Sequence, residues 1–259
     1  MRKLVISSII LAAVLTGCSD MSAAGSDPPR LRAEVLEVLP HDTSAFTEGL
    51  ELAGGTLYES TGLPGRSVVQ AGRPGQAPTV RADLPAPLFG EGITVLGPTL
   101  WQLTWQDGIA IERDTATLAE KRRVAYRGEG WGLCHQPERD RLVMSNGSAG
   151  LTFRDPRTFA ETGGVTVRYG ARTFTQLNEL ECVGDTVYAN VWQTDTILRI
   201  DSTSGLVTAT IDASGLLSSS ERGQADVLNG IAAVPGTDQF LLTGKLWPKM
   251  FKVRLVPAP

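Results

Sequence analysis

Glu48-Gly49-Leu50, Glu91-Gly92-Ile93, Glu129-Gly130-Trp131, Asn178-Glu179-Leu180 and Asn229-Gly230-Ile231 are the segments that decide the fold. Each sets an acidic or amide residue, then Gly or Glu, then a large apolar residue. The pattern returns at intervals of about 40–50 residues, the spacing of propeller blades. The residues after each instance repeat as well. Second strands are expected at residues 56–60, 99–104, 141–145, 186–191 and 239–243, and third strands at 67–70, 109–113, 151–154, 197–201 and 250–255. Fourth strands are expected at 79–84, 121–126, 165–169 and 206–211. Alternation, Val/Ile/Thr/Tyr content and flanking Gly, Asp, Asn and Pro turns fit strands rather than helices. The fifth repeat reaches Pro259 without a fourth strand, whereas residues 32–39 read as a strand with no sheet of their own. Ring closure by that N-terminal strand satisfies both and leaves no open edge. The expected fold is therefore all-β, a five-bladed β-propeller over residues 32–259.

Ahead of this domain, Arg2 and Lys3 precede an apolar run from Leu4 to Leu15, followed by Thr16-Gly17-Cys18. A basic start, a short apolar run and small residues at the cleavage point mark a secretory signal over residues 1–17, shorter than a membrane span. Leu15-Thr16-Gly17-Cys18 resembles the lipobox of bacterial lipoproteins, which makes Cys18 a lipidated residue and the membrane a partner through its anchor. Residues 18–31 read as a flexible tether. The expected location is the bacterial cell envelope on the periplasmic side, with Ser19 favouring the outer membrane. A net charge of −4 and no basic tract exclude nucleic acid as the partner, and a monomer is expected. His41 and His135, the two histidines, leave little for a His-ligated zinc site or a Ser-His-Asp triad. Outside the cytoplasm Cys134 and Cys182 either pair or stay as two buried thiols.

In a blade the first strand lines the axis and the second runs antiparallel beside it. The start of one and the end of the other share a face. Glu48, Glu91, Glu129, Asn178 and Asn229 are thus expected around one mouth of the channel, joined by Trp105, Trp192 and Lys245 from the second strands. Converging carboxylates cannot all stay charged without cations or hydrogen bonds. Either a hard metal ion sits there or a carboxylate moves protons. A structural Ca²⁺ in the channel is one expectation, because acidic and amide oxygens suit hard cations; no organic cofactor is expected. Trp105, Trp131 and Trp192 read as a ligand-facing aromatic box, Trp101 and Trp247 as packing between blades. Residues 214–227, the longest insertion, read equally as a lid or a tolerant loop.

Phe46-Thr47-Glu48-Gly49-Leu50, Phe89-Gly90-Glu91-Gly92, Gln102-Leu103-Thr104-Trp105 and Gly128-Glu129-Gly130-Trp131-Gly132-Leu133 resemble glutaminyl cyclases of the plant and bacterial type. So do Leu177-Asn178-Glu179-Leu180-Glu181, Ala189-Asn190-Val191-Trp192-Gln193, Asp226-Val227-Leu228-Asn229-Gly230-Ile231 and Thr243-Gly244-Lys245-Leu246-Trp247. The resemblance implies a five-bladed propeller that converts N-terminal glutamine of peptides or proteins to pyroglutamate with release of ammonia. It implies that Glu91 transfers the proton, and that Trp105, Trp131 and Trp192 frame the glutamine side chain with Phe46 and Phe89 nearby. Asn178 and Lys245 are implied contacts to the reacting amide and the terminus. Glu48 stands where the family usually carries Gln, which keeps an acceptor, loses an NH₂ donor and adds charge. The alternatives are a non-catalytic envelope propeller gripping a peptide or cell-wall component, and a metal-dependent lactonase. Loss of ammonia from a Gln-initiated peptide separates the first, and sensitivity to chelator the second.

Overall fold

The computed structural model describes residues 27–259, so the expected signal segment and Cys18 lie outside the described residues. Strand β1 (Arg30–Pro40) comes first, and it starts two residues before the expected domain edge at residue 32. Four groups of four strands follow in chain order, the first three as separate sheets. The first holds β2 (Thr47–Ala53), β3 (Thr56–Thr61), β4 (Val68–Gly72) and β5 (Val80–Asp83). The second holds β6 (Gly90–Leu96), β7 (Thr99–Thr104), β8 (Ile109–Asp114) and β9 (Glu120–Ala125). The third holds β10 (Leu133–Gln136), β11 (Arg141–Met144), β12 (Gly150–Arg154) and β13 (Glu161–Thr166). A short ribbon of β14 (Arg168–Tyr169) and β15 (Arg172–Thr173) separates it from β16 (Leu177–Val183), β17 (Thr186–Val191), β18 (Thr196–Asp201) and β19 (Val207–Asp212). After a one-turn helix, α1 (Ser219–Arg222), come β20 (Leu228–Ala233), β21 (Gln239–Gly244) and β22 (Lys249–Pro257).

The missing fourth strand of the last group is β1, which pairs antiparallel with β22 from Leu31↔Pro257 to Pro40↔Lys249. Its first residues also pair in parallel with β19, Arg30↔Thr210 to Arg32↔Asp212, so the fourth and last groups merge into one eight-stranded sheet. Residues expected to form the fourth strand at 165–169 instead split between β13 and β14.

Burial falls from the inner to the outer strands. β2 and β6 are buried over their first four or five residues, whereas β9 is mostly exposed and carries Glu120, Lys121, Arg122 and Arg123, charges that discourage edge-to-edge pairing. The inner strands pack on one another in sequence: β2 on β6, β6 on β10, β10 on β16, β16 on β20, and β20 back on β2. Apolar clusters fill the spaces between neighbouring sheets, among them Tyr58, Ile93 and Leu100 between the first and second. Leu50, Leu57, Ala232, Leu241 and Met250 join the first to the last. Truncating one such fully buried Leu to Ala costs roughly 2–5 kcal/mol. Trp101 and Trp247 are fully buried in two of these clusters, and their indole N–H groups donate to the carbonyls of Pro156 and Asp226. Cys134 of β10 and Cys182 of β16 are joined by a disulfide, which resolves the open alternative.

A local device sets the turns between third and fourth strands. Asp114, Asp155 and Asp201 each accept two following backbone N–H groups and the hydroxyl of Thr117, Thr158 or Ser204. The left-handed position that ends each turn is taken by Leu118 (φ 57°), Phe159 (φ 63°) and Gly205 (φ 71°). Burial of the Leu118 and Phe159 side chains offsets the backbone strain.

The third repeat needs a correction. A Cβ on Gly132 would lie 2.1 Å from the Asn178 carbonyl oxygen, as one on Gly92 would lie 2.5 Å from that of Trp131. The close-approach position is therefore Gly132, and Trp131-Gly132-Leu133, not Glu129-Gly130-Trp131, matches Glu91-Gly92-Ile93.

Candidate active site

The starts of four inner strands carry β-bulges. Pairing slips between Thr47 and Gly49, Gly90 and Ile93, Leu177 and Leu180, and Leu228 and Ile231. A bulge removes its residues from the ladder and re-aims their side chains. Glu48, Glu91, Asn178 and Asn229 all fall in these slips, and all four are buried.

Glu48, Glu91 and Asn178 line a cavity of about 360 Å³ together with Lys245, Phe46, Phe89, Trp105, Trp131 and Trp192; Asn229 is not part of its wall. The expected catalytic and substrate-contacting residues are thus brought together; of the expected mouth residues Glu129 and Asn229 do not line the cavity, and Cys18 is outside the described region. A cavity of about 330 Å³ opens beside His41 and Glu59, but both of those side chains are fully hydrogen-bonded. At the first cavity the buried Glu91 Oε2, Asn178 Oδ1 and, in the adjacent strand start, Asn229 Oδ1 have no partner. Unsatisfied buried acceptors are costly in a finished core; here they suit a ligand rich in N–H.

The walls are aromatic. Phe46 meets Phe89 edge-on at 6.3 Å, and Phe89 meets Trp105 at 5.6 Å. Opposite, Trp131 and Trp192 meet edge-on at 5.7 Å. Gly62 makes room for one wall: a Cβ there would lie 2.3 Å from the Phe89 ring and 3.1 Å from Glu48 Oε1. Glu129 sits outside the ring of inner-strand starts. It accepts the indole N–H of Trp105 at 2.9 Å and of Trp131 at 3.0 Å, along with the side-chain amide of Gln106 at 3.0 Å. Those bonds hold its carboxyl below the usual range, the Trp131 bond contributing most.

On the polar side Lys245 Nζ lies 2.6 Å from Glu48 Oε1 and 4.6 Å from the Phe46 ring centre. Asn229 Nδ2 donates to Glu48 Oε2 at 3.3 Å and to the Thr47 carbonyl at 3.0 Å. Burial drives the Glu91 carboxyl well above its ordinary value; the charge of Glu48 adds to this, Lys245 opposes it, and Glu129 and a hydrogen bond with Glu48 reinforce it. Burial raises Glu48 too, while Lys245, by charge and hydrogen bond, pulls it back towards ionisation. Of the two, Glu91 is pushed further towards the neutral acid, because no lysine is hydrogen-bonded to it as Lys245 is to Glu48.

Below them Glu179 occupies the slot that Gly49, Gly92, Gly132 and Gly230 fill in the other inner strands. Its carboxyl oxygens accept the backbone N–H of Leu50 at 3.3 Å and of Ile231 at 2.8 Å, so it ties β16 to β2 and β20. Leu63, Gln193, Asp226 and Val227 complete the cavity without standing out in the sequence. Leu63 (φ 84°) and Gln193 (φ 63°) lie just beyond the ends of β3 and β17 at the rim. Their place next to Gly62 and Trp192 is the one signal the sequence offers for them. Among the described residues no three His, Cys, Asp or Glu side chains converge to hold a metal ion.

Two buried carboxyl groups, a lysine and open amide acceptors inside aromatic walls mark an enzyme on an all-β scaffold. More narrowly, the chain belongs to the glutamine cyclotransferase family, whose model matches residues 8–255. It is 40% identical over 233 residues to a glutaminyl-peptide cyclotransferase of Arabidopsis thaliana, covering 87% of this chain and 72% of the relative. It is also similar to the crystal structure of Myxococcus xanthus glutaminyl cyclase, with a TM-score of 0.80 and 37% identity over 90% of this chain and all of that one.

Proposed function

We propose that this chain is a glutaminyl-peptide cyclotransferase: it converts the N-terminal glutamine of peptides or proteins to pyroglutamate and releases ammonia. Membership of the family supports this, and so does the match between the cavity and the substrate. A glutamine terminus offers N–H groups on both its α-nitrogen and its γ-amide, the donors that the open acceptors of Asn178 and Glu91 lack. The nucleophile is the substrate's own α-amine, which titrates near pH ~8, so an appreciable fraction is neutral at neutral pH. The walls formed by Trp105, Trp131, Trp192, Phe46 and Phe89 hold the side chain curled so that the amine meets the γ-carbon. Orientation of this kind can supply roughly 7–11 kcal/mol of the barrier. Glu91 moves a proton from the attacking nitrogen to the departing one, a contribution of about 10²–10⁴-fold. Lys245 and Asn178 supply N–H groups for the developing oxyanion and for the terminus.

The observation that carries this reading is the buried Glu91 carboxyl on the wall of an indole-lined cavity. The test is incubation with a Gln-initiated peptide and mass spectrometry. Wild type removes the mass of ammonia, and folded Glu91→Gln is slower by about 10²–10⁴-fold. Near-normal turnover in that variant overturns the mechanism.

The scaffold reading within the same proposal is a five-bladed propeller closed by β1. Support comes from the succession of four-strand groups, the cyclic packing of inner strands and the apolar clusters between sheets. The chain is further proposed to be a monomeric lipoprotein of the bacterial cell envelope, held on the periplasmic side of the outer membrane. The signal over residues 1–17, a lipidated Cys18 and the tether support it, and a disulfide suits that oxidising compartment. Among the described residues no helix is long and apolar enough to cross a membrane. A channel Ca²⁺ is a separate proposal. The acidic side chains do not by themselves fit it, because Glu179 spends both oxygens on backbone N–H groups and no three acids converge among the described residues. Backbone carbonyls would have to complete such a site, away from the proton chemistry of Glu91.

A further inference from the structure

We propose that a polar pocket beside the catalytic cavity is a subsite for the peptide chain that follows the glutamine, and that Arg66 in it favours an acidic side chain one or two residues further on. This rests on the glutamine-cyclising reading. The pocket holds about 340 Å³ and lies where β3 ends and β4 begins. Gly62-Leu63 divides it from the catalytic cavity. Leu63 lines both spaces, and Gly62 lines the pocket while it lies against the Phe89 ring of the cavity wall. The divide is well anchored. Gly62 N–H donates to the Phe46 carbonyl at 2.8 Å, and the Leu63 carbonyl accepts the Arg66 N–H and the Ser67 hydroxyl, both at 2.9 Å. Ser67 Oγ in turn accepts the Gly90 N–H at 3.1 Å, at the start of β6. Leu63 holds a left-handed backbone (φ 84°), as Leu118 and Phe159 do, but those two are fully buried and Leu63 is not. Packing therefore does not offset its strain, and such positions gather where a ligand is gripped.

Cyclisation fixes how the chain must leave. The α-amine and the γ-carboxamide both turn inward to react, so the α-carbonyl of the bound glutamine is the group left to point out of the mouth. An extended chain advances about 3.3–3.6 Å per residue, so one or two residues cross a divide as narrow as Leu63. Beyond it the pocket offers two cations. Arg81 is already paired with Asp83 at 3.1 Å, whereas exposed Arg66 has no carboxylate within ion-pair distance among the described residues. The remaining acid, Asp42, accepts the N–H and the hydroxyl of Ser44 on one oxygen, both at 2.8 Å. A guanidinium is all donor, and its planar fork matches a carboxylate. Elsewhere on the rim Asp226 and Glu129 are acidic and repel such a side chain, so charge directs an acidic peptide over Leu63.

The test compares kcat/KM for ammonia release from Gln-Glu-Ala and Gln-Ala-Glu with that from Gln-Lys-Ala and Gln-Ala-Lys, all as C-terminal amides so that no end carboxylate intervenes. Wild type is expected to favour the acid over the lysine by about 3–10-fold at one or both positions in low salt, and the preference shrinks in high salt because the pair is exposed. In Arg66→Glu the ratio inverts, and in Arg66→Ala it comes close to one. Each ratio is taken within one enzyme, so a general loss of activity cancels, and a merely structural Arg66 would leave it unmoved. If Arg66→Glu fails to fold, Arg66→Ala and the salt dependence decide. A wild-type ratio within about twofold of one, a preference for lysine, or the same ratio in wild type and Arg66→Ala each overturns the subsite. Ammonia release from Gln-Ala-Ala amide by wild type is scored first. No release refutes the cyclase reading, whereas release without a preference for the acid refutes the subsite alone.

Discussion

Glu129 offers the sharpest test of how the aromatic walls are held. It stands outside the ring of inner-strand starts, yet its carboxylate accepts the indole N–H groups of both Trp105 and Trp131, at 2.9 and 3.0 Å. Replacement by Ala leaves both rings in place but untethered. A charge-assisted bond can be worth about 1.5–3 kcal/mol when buried. Glu129 is only half-buried and Trp105 is 36% exposed, so screening reduces each bond to about 0.5–1 kcal/mol. Binding must then order two free indoles, a cost of similar size per side chain. The sum is about 1–2 kcal/mol, or a loss of about 5–30-fold in kcat/KM, carried mainly by KM. The assay is steady-state ammonia release from a Gln-initiated dipeptide, with thermal melting as the control for folding. Trp131→Phe, which removes one donor, should be less than additive with Glu129→Ala in a double-mutant cycle. A kcat/KM within about twofold of wild type, or full additivity, refutes the tether.

The buried pair His41–Glu59 (2.9 Å) should give stability a pH signature. Burial opposes the charged imidazole, but Glu59, the Trp247 carbonyl and Asp42 together raise His41 above 6.5; burial likewise opposes the Glu59 carboxylate, yet His41, Thr47 and Gln70 hold it below 4.5. The His41 contribution is present below 6.5 and lost as pH rises through its raised value, and that of Glu59 is present above 4.5 and lost as pH falls through its lowered one. Melting of wild type minus that of Glu59→Gln should therefore peak between these limits and shrink towards alkaline pH; a flat difference refutes it. Opening the Cys134–Cys182 bond by a double Ala substitution should cost about 2–4 kcal/mol, a fall in Tm of roughly 5–15 °C, with little change in kcat; an unchanged Tm counts against a disulfide in solution. Exhaustive EDTA treatment should leave ammonia release within about twofold of the control, because the proposed mechanism gives the proton chemistry to Glu91 and its partners; complete, metal-reversible loss refutes that expectation.

The strands are legible because sheets that bury both faces need apolar runs bounded by turn residues, and β7, β17 and β21 begin where those runs begin. The third repeat misleads for a physical reason. Glu129-Gly130-Trp131 imitates the residue types of Glu91-Gly92-Ile93, but what fixes the position is the close approach of the next inner strand to Gly132, a distance that no spacing rule contains. The fourth strand at β13 is displaced because Val167 turns into the core and breaks the run before Arg168. At the cavity, residue types and offsets point to Glu91, Trp105, Trp192 and Lys245. They do not reveal that Glu129 serves the indoles, that Glu48 is bound by Lys245, or that Asp226 and Val227 reach the rim, since each depends on bulges and loop paths. The Asp turns at 114, 155 and 201 are a repeat in plain view and would place the outer strands more closely.

Glu179 fills the passage where its counterparts are glycine, and it is stitched across to two opposing backbones. One buried side chain therefore braces three inner strands at once, and a glycine in its place would leave the backbone N–H groups of Leu50 and Ile231 without that acceptor.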